Sequence, residues 1–578
     1  MTDETIRNLP IQPETAPDTT LLHQARWLYD NYPDRAAVTL INGDDAYTVS
    51  YGDFFTQSAR YAHALENAGV KPGHLVALIL QHGEAVLYGF WGAMLLGAVP
   101  SIFPFLSDKL DPERYFDSVR QLIAHEGVKV IITYDALEAE LRQHLDGVDV
   151  TIINKDALDP AGDAAHYLAL SPAQPEDTAF LQHSSGSTGL QKGVMLSHRA
   201  VINHVASYST AIRLTPDDVV VSWLPLYHDM GLIAGFIMPI LQGVKIVLMS
   251  PFQWVRDPKM LLHAIHQHNG TLCWLPNFAY NFLATRVRDA DIEGLDLSSL
   301  RALVNCSEPI MPDSHAVFLE KFAPYGFAES ALTVCYAMAE NTFAVTQAGI
   351  DAPLTLDTVE RDALMEGRKA VQSVSDSVPT LSFVSNGTPI ADCEVRIVDE
   401  HRADLPERHV GEIALKSTFM LSGYYQREDA TAEVMQDGWY FTGDMGYMAD
   451  GELYITGRKK DLIIVGGKNV YPQDIENLLN DVPGVHPGRT STFGIFNDKL
   501  GTEDIAIVAE ASAGIDAADR EATAPIIKEI RARVARSTDV SARYVQIVPP
   551  KWLVKTSSGK IARTANREKF LREILKRD

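Results

Sequence analysis

TAFLQHSSGSTGLQKGVMLSH, residues 178–198, carries an apolar strand directly into a Ser/Thr/Gly run, Ser184-Ser185-Gly186-Ser187-Thr188-Gly189, with Lys192 close behind. Glycines let successive backbone N–H groups converge on an anion, and Ser and Thr hydroxyls add donors. The run is not a Walker A loop. That pattern places four residues between a Gly and an adjacent Gly-Lys pair, and here Lys192 is followed by Gly193 rather than by Ser or Thr. A flexible surface loop has the same composition, so the stretch by itself marks a strand, a turn and a candidate phosphate cradle.

On the N-terminal side, helical patterns alternate with short apolar strands: TLLHQARWLYDNY (20–32), AAVTLI (36–41), TVSYGDFFTQSARYAHALENAG (48–69), HLVALIL (74–80) and EAVLYGFWGAMLLGA (84–98). Such alternation predicts parallel sheets with helices on their faces. The runs VKVIITY (128–134), VVVSWLP (219–225) and VKIVLM (244–249) continue it. After about residue 390 the texture changes to strands broken by turn residues (393–399, 411–417, 438–448, 451–457), which reads as an antiparallel or barrel-like unit. A smaller α+β unit follows Arg458. The expected fold is α/β, with a large N-terminal domain of packed α/β subdomains plus a barrel-like β subdomain, and a small mobile α+β C-terminal domain. Its expected bounds are a flexible arm over 1–20, the large domain over 21–459 and the small domain over 460–578. The basic segment 459–461 reads as a boundary or hinge, although a solvated charge run looks the same.

The chain has 578 residues and a net charge of −25. So acidic a surface repels phosphate backbones and anionic lipid, which argues against a nucleic-acid partner. Any phosphate-bearing ligand has to be held by local donors. Cys273, Cys306, Cys335 and Cys393 are far apart, with no C-x-x-C pair, and read as buried reduced thiols. The polar, acidic start is neither a signal nor a transit peptide. Gly231–Met249, broken by Pro239, Gln242 and Lys245, reads as core rather than as a membrane span. The expectation is a soluble, cytoplasmic protein.

SSGSTGLQKGVMLSH resembles the phosphate loop of the adenylate-forming superfamily of acyl-CoA synthetases, nonribosomal-peptide adenylation domains, luciferases and fatty acyl-AMP ligases. Five further segments are similar to that superfamily, in the same order. The resemblance implies ATP and Mg²⁺ as cofactors, with Ser184, Ser185, Gly186, Ser187, Thr188, Gly189 and Lys192 around the phosphates. WLPLYHDMGL (223–232) then puts His228 near the acyl carboxylate, although a lone His among aromatic neighbours is also a common packed residue. VNCSEP (304–309) is similar to the adenine-contacting turn and implicates Asn305, Cys306 and Ser307. Cys306 and Ser307 depart from the family's Gly and Ala, so backbone contacts transfer more safely than side-chain roles.

Two segments, YGFAES (325–330) and YAMAEN (336–341), compete for the family's Tyr-Gly-x-x-Glu position. Phe322 to Phe327 fits the phrase that precedes this motif in acyl-AMP ligases, so the second segment is assigned. Tyr336, Ala337 and Met338 then contact the nucleotide, and Glu340, with Thr188, meets Mg²⁺. In residues 438–476 the resemblance implies Asp444 on the ribose diol, Arg458 on ribose or phosphate, and Lys460 as the hinge. LVKTSSGKIAR (553–563) presents Lys560 as the catalytic lysine, its ammonium meeting charge on the acyl carboxylate and α-phosphate.

Three features resemble the fatty acyl-AMP ligases more than the CoA ligases: GGKNVYPQDIE (466–476), the forms PNFAYNFL (276–283) and PLYHDMGL, and a long segment at about 343–384 similar to the insertion by which these ligases are distinguished. Leu354, Leu356, Val359 and Leu364 give that insertion an apolar face to bury. The implied activity is activation of a fatty acid as acyl-AMP, with transfer to the phosphopantetheine thiol of an acyl carrier protein, or of a carrier domain of a polyketide or peptide synthase. The alternative is an acyl-CoA synthetase.

Overall fold

The computed structural model describes residues 9–12, 18–43, 45–106, 112–184, 192–374, 378–465, 468–497, 502–538, 541–556 and 559–576. Two large sheets organise the first part of the chain. One has seven strands, in the order Gly423–Tyr424, Lys192–Ser197, Thr178–Ser184, Val99–Ile102, Leu75–Leu78, Val130–Thr133 and Thr151–Asn154. Lys192–Ser197 returns antiparallel to Thr178–Ser184, and the strands from Thr178–Ser184 to Thr151–Asn154 are parallel. Leu75–Leu78, Val99–Ile102 and Val130–Thr133 are buried at every position. Helices cover both faces of such a sheet, which is why these strands read as unbroken apolar runs rather than alternating ones.

The helices pack tightly there. Ser50 caps Tyr51–Asn67 by accepting the Asp53 N–H at 3.1 Å. That helix meets Glu84–Leu95 at Gly92, where an added Cβ would lie 2.6 Å from the Tyr61 Cβ and 2.7 Å from the Ser58 carbonyl oxygen.

The second sheet has nine strands, with Leu272–Leu275, Ala302–Asn305 and Leu332–Ala337 parallel and adjacent in its middle. The run Gly231–Met249 lies in the core. A π-helix over Met230–Ile237 leads into Met238–Leu241 and then into the strand Lys245–Met249. Gln242 interrupts this apolar run because it has buried partners. Its Oε1 accepts the Ile11 N–H at 3.0 Å, and its Nε2 donates to the Ile11 carbonyl and to Ser209 Oγ, each at 3.0 Å.

That pairing fixes Ile11, one of the described residues inside the expected flexible arm over 1–20. Leu9 and Ile11 are buried in the main core, and buried Thr20 caps the helix Leu21–Asn31. Two isolated apolar residues among polar ones carry no periodicity, so the sequence pattern had nothing to register.

The segment at about 343–384, expected as an insertion, holds several elements. Ala344–Gln347 is a strand of the nine-stranded sheet, between Leu332–Ala337 and Thr388–Pro389. After it come the hairpin strands Leu356–Glu360 and Thr380–Val384 and the helix Arg361–Gly367. Strand alternation turns Asp357 and Val359 inward and leaves Leu356 exposed. Val359 and Leu364 pack with Val410, Met445, Tyr447 and Tyr454. Asp357 accepts from Arg408 at 3.0 Å and from the Tyr447 hydroxyl at 2.8 Å.

The five-stranded antiparallel unit is built around Trp439–Ala449, which pairs with Gly411–Ser417, Met435–Gln436 and Glu452–Arg458. A 3₁₀ turn over Lys459–Asp461 follows, with Lys460 exposed on it. The final unit is a sheet of Val485–Asn497, Thr502–Ala511 and Ala542–Val548 with helices Pro472–Leu478, Arg520–Thr538 and Arg563–Glu573. Met365, from the insertion helix, is buried among Ile463, Val470, Tyr471 and Ile475 of this unit. Among the described residues no helix is long and apolar enough to cross a membrane.

Candidate active site

Parallel strands deliver functional groups at their C-terminal ends, where such sheets bind ligands. Four segments of the nine-stranded sheet do so here. Val219–Ser222 runs on to His228, Leu272–Leu275 to Asn277, Ala302–Asn305 to Cys306 and Ser307, and Leu332–Ala337 to Met338 and Glu340. Asn305 is fully buried, its Nδ2 donating to Asn277 Oδ1 at 3.0 Å and lying 2.8 Å from His315 Nε2. Its side chain therefore anchors the turn from below. Ser307 takes a positive φ of 71° and so bends the backbone sharply after buried Cys306.

Tyr336 and Asp444, 108 residues apart, meet across this rim. The Tyr336 hydroxyl donates to Asp444 Oδ2 at 2.6 Å, and Arg458 Nε donates to Asp444 Oδ1 at 3.1 Å. Both carboxylate oxygens are thereby oriented, each with a lone pair left for a further donor. Burial, then the neighbouring Asp444 charge, pushes the Tyr336 hydroxyl well above the usual tyrosine range, keeping it a donor.

Glu340 lies in the 3₁₀ turn Ala339–Asn341. The Tyr424 hydroxyl donates to Glu340 Oε1 at 2.8 Å and lies 3.1 Å from the Tyr440 hydroxyl. Burial pushes the Glu340 carboxyl upward, opposed by the Tyr424 hydrogen bond. A carboxylate raised by desolvation is one that gains from a nearby cation. Glu329, its competitor in the sequence, is exposed at the opposite end of Leu332–Ala337.

Lys560 enters from the C-terminal unit on a turn closed by Thr556, whose N–H donates to the Lys560 carbonyl at 2.8 Å. Glu308, Arg458 and Asp229 are its electrostatic neighbours. Burial pushes its ammonium below the usual lysine range; Glu308 and Asp229 oppose this, and Arg458 adds to it. Glu308 is itself fixed by the Phe278 N–H at 3.0 Å. His228 Nδ1 lies 2.5 Å from Asp229 Oδ1. Burial works against the Asp229 charge, but His228 and Lys560 outweigh it and hold the carboxyl below the usual range.

Asp229, Glu308, Tyr424 and Tyr440 escaped the sequence reading. Asp229 and Glu308 stood inside quoted motifs and could have been found there. No spacing links Tyr424 to Glu340, 84 residues away. Ser184 ends its strand and Lys192 begins the return strand, with its ammonium 4.6 Å from the Tyr424 ring centroid. Ser185, Gly186, Ser187, Thr188 and Gly189 lie outside the described residues, as does the side chain of Ser184.

Behind Lys560, Arg563 donates to Glu476 Oε2 at 2.8 Å and to Asp461 Oδ2 at 2.5 Å, tying the lysine turn to the 3₁₀ turn at 459–461. Nearby, burial and then Glu476 push the Asp474 carboxyl up to about 7. The folded chain holds that proton more tightly than the unfolded chain. The associated stability is therefore complete below about pH 4 and is lost as the pH rises through about 7. Asp474→Asn is expected to raise the Tm at pH 8 by on the order of 2–4 °C and to change nothing near pH 4, as scanning calorimetry at the two pH values will check.

Residues 25–425 match the family described as AMP-binding enzyme. The chain belongs to that family and is an enzyme of the adenylate-forming ligase class. Among its relatives is FadD21 of Mycobacterium tuberculosis (strain ATCC 25618 / H37Rv), which carries a fatty-acid–CoA ligase name. It is 30% identical over 587 residues, covering 96% of this chain and 98% of the relative. The long-chain-fatty-acid–AMP ligase FadD26 of Mycobacterium bovis is 30% identical over 580 residues, covering 95% and 96%. A solved structure from studies of fatty acyl-adenylate ligases of E. coli and L. pneumophila superimposes with a TM-score of 0.87 at 28% identity, covering 98% of this chain and 100% of that one.

Proposed function

We propose that this enzyme joins a fatty acid to ATP as acyl-AMP and passes the acyl group to the phosphopantetheine thiol of a carrier protein. The observation that carries the first step is Lys560, with Glu308, Asp229 and Arg458 as its electrostatic neighbours, beside the Tyr336–Asp444–Arg458 rim. A carboxylate oxygen attacks the α-phosphorus, the bond from that phosphorus to the bridging oxygen of pyrophosphate breaks, and pyrophosphate leaves. No proton is transferred, so the demand on the protein is positive charge and alignment. Lys560 supplies the charge at the reacting oxygens. His228, held by Asp229, positions the acid. Asp444 takes the ribose diol, and Arg458 bridges ribose and phosphate. Tyr336, Ala337, Met338 and the backbone of 305–307 frame the adenine, and Lys192 with the 184–189 run holds the triphosphate.

Mg²⁺ fits this donor set. Among the described residues no three His, Cys, Asp or Glu side chains gather to cage a metal. Mg²⁺ ordinarily takes one or two protein carboxylates and completes its shell with phosphate oxygens and water. Glu340 would be that carboxylate, with the Thr188 hydroxyl beside it. When bound, the ion would neutralise phosphate charge.

For the acceptor, the supporting observation is Met365. The insertion is buried on one side against the five-stranded unit and on the other sends Met365 into the core of the C-terminal unit. A domain tied in this way resists the swing that would bring CoA to the adenylate. The second reading, an acyl-CoA synthetase, draws support from the FadD21 name. Supplying radiolabelled fatty acid and ATP with either CoA or a phosphopantetheinylated carrier domain separates the two. Carrier thioester is expected at least tenfold faster than acyl-CoA, and equal rates would establish the CoA reading instead. Met365→Ala is expected to raise acyl-CoA formation several-fold while leaving acyl-AMP formation within twofold.

A further inference from the structure

One step from the Ser184–Lys192 pair lies a polar chain that the proposed chemistry does not use. Ser101 Oγ lies 2.9 Å from His183 Nδ1, and His183 Nε2 lies 3.2 Å from both oxygens of Glu126. All three residues are buried, at 1%, 7% and 7% exposure, so none of them can meet a substrate. Phe103 seals the imidazole edge-on, with ring centroids 5.9 Å apart.

Glu126 is an expensive residue to keep there. It is the last residue of the helix Pro112–Glu126, the end at which the helix dipole disfavours a negative charge. It is also out of water, and replacing a buried ionic group with apolar residues of similar volume is often neutral or stabilising. Stability alone therefore does not account for it. Its position does. His183 pairs in register with Gly193, one step from the Ser184–Lys192 pair that ends the described part of the hairpin. A Cβ at Gly193 would come within 3.0 Å of Glu126 Oε1. The carboxylate thus touches both strands of the hairpin, His183 by hydrogen bonding and Gly193 by close packing. On the far side, the Tyr425 N–H donates to the Gly193 carbonyl at 2.8 Å, and the adjacent Tyr424 meets both Lys192 and Glu340.

We propose that Ser101, His183 and Glu126 are positioning residues for ATP, a clamp that sets the separation and tilt of the two strands carrying the phosphate-binding segment. Serine can donate to or accept from the imidazole, so it holds the ring in place in either protonation state. The clamp acts through Lys192 and the 184–189 run, and so rests on the assignment of that run to the triphosphate.

The test is steady-state pyrophosphate release by the full chain, with ATP and fatty acid varied separately and Tm measured in parallel. His183→Gln and Glu126→Gln are each expected to raise the KM for ATP about tenfold while the KM for the acid stays within twofold. The double variant is expected to be no worse than either single one. Gly193→Ala, which crowds Glu126, and Ser101→Ala, which removes one hydroxyl, keep the test open if His183→Gln or Glu126→Gln folds poorly. Both are expected to raise the ATP KM at least threefold. Thr188→Ala serves as the control on the underlying assignment. If Thr188→Ala leaves the ATP KM unchanged, the phosphate-loop reading falls and the clamp with it. If Thr188→Ala raises it and the clamp variants lower only Tm, with ATP KM within twofold of wild type, the clamp alone is overturned.

Discussion

Lys560→Ala is expected to slow acyl-adenylate formation a hundredfold or more while leaving the fold and ATP binding nearly intact. The side chain stands on a turn that includes Gly559 at a φ of 86°. Under the proposed function, what is lost is a cation near Glu308 and Asp229 at the point where the carboxylate and the α-phosphate, both anionic, have to approach. A placed charge in a water-poor site contributes about 3–4 kcal/mol to the transition state, which is two to three orders of magnitude in rate. Pyrophosphate release measured on the purified variant decides the matter, and a rate within threefold of wild type removes Lys560 from the mechanism.

Glu340→Gln is expected to reduce Mg²⁺-dependent turnover by roughly one to two orders of magnitude, about 1.4–2.8 kcal/mol. Glu329→Gln is expected to leave it within twofold. Glutamine preserves the shape and the hydrogen bond from Tyr424 but removes the charge. The contrast follows from where the two carboxylates lie. Glu340 is beyond the C-terminal end of Leu332–Ala337, facing Tyr424 and Tyr440, whereas Glu329 is exposed before its N-terminal end. Titrating MgCl₂ against turnover for both variants tests the choice between the two similar segments. If Glu329→Gln is the inactive one, the assignment is reversed.

The α/β architecture was legible because buried parallel strands leave short apolar runs, as at 74–80 and 128–134. The candidate site residues come from single motifs, with Asp444, Arg458 and Lys560 each named from its own segment. What joins segments was not legible. Tyr336 finds Asp444 across 108 positions, and Tyr424 finds Glu340 across 84, and neither pairing has a local signature. Ala344–Gln347 is only four residues long, too short to announce itself as a sheet strand. The burial of Ile11 was not legible because its partner Gln242 is 231 positions away.

Met365 gives this arrangement an evolutionary dimension. Under the proposed function, the tie between the insertion and the C-terminal unit includes the apolar side chain of Met365. Exchanges among methionine, leucine and other residues of similar volume disturb a core only slightly. Lineages are therefore free to drift at this position without harming acyl-AMP formation. The preference for carrier over coenzyme can then loosen or tighten in small, individually tolerated steps, with the chemistry of the cleft unchanged throughout.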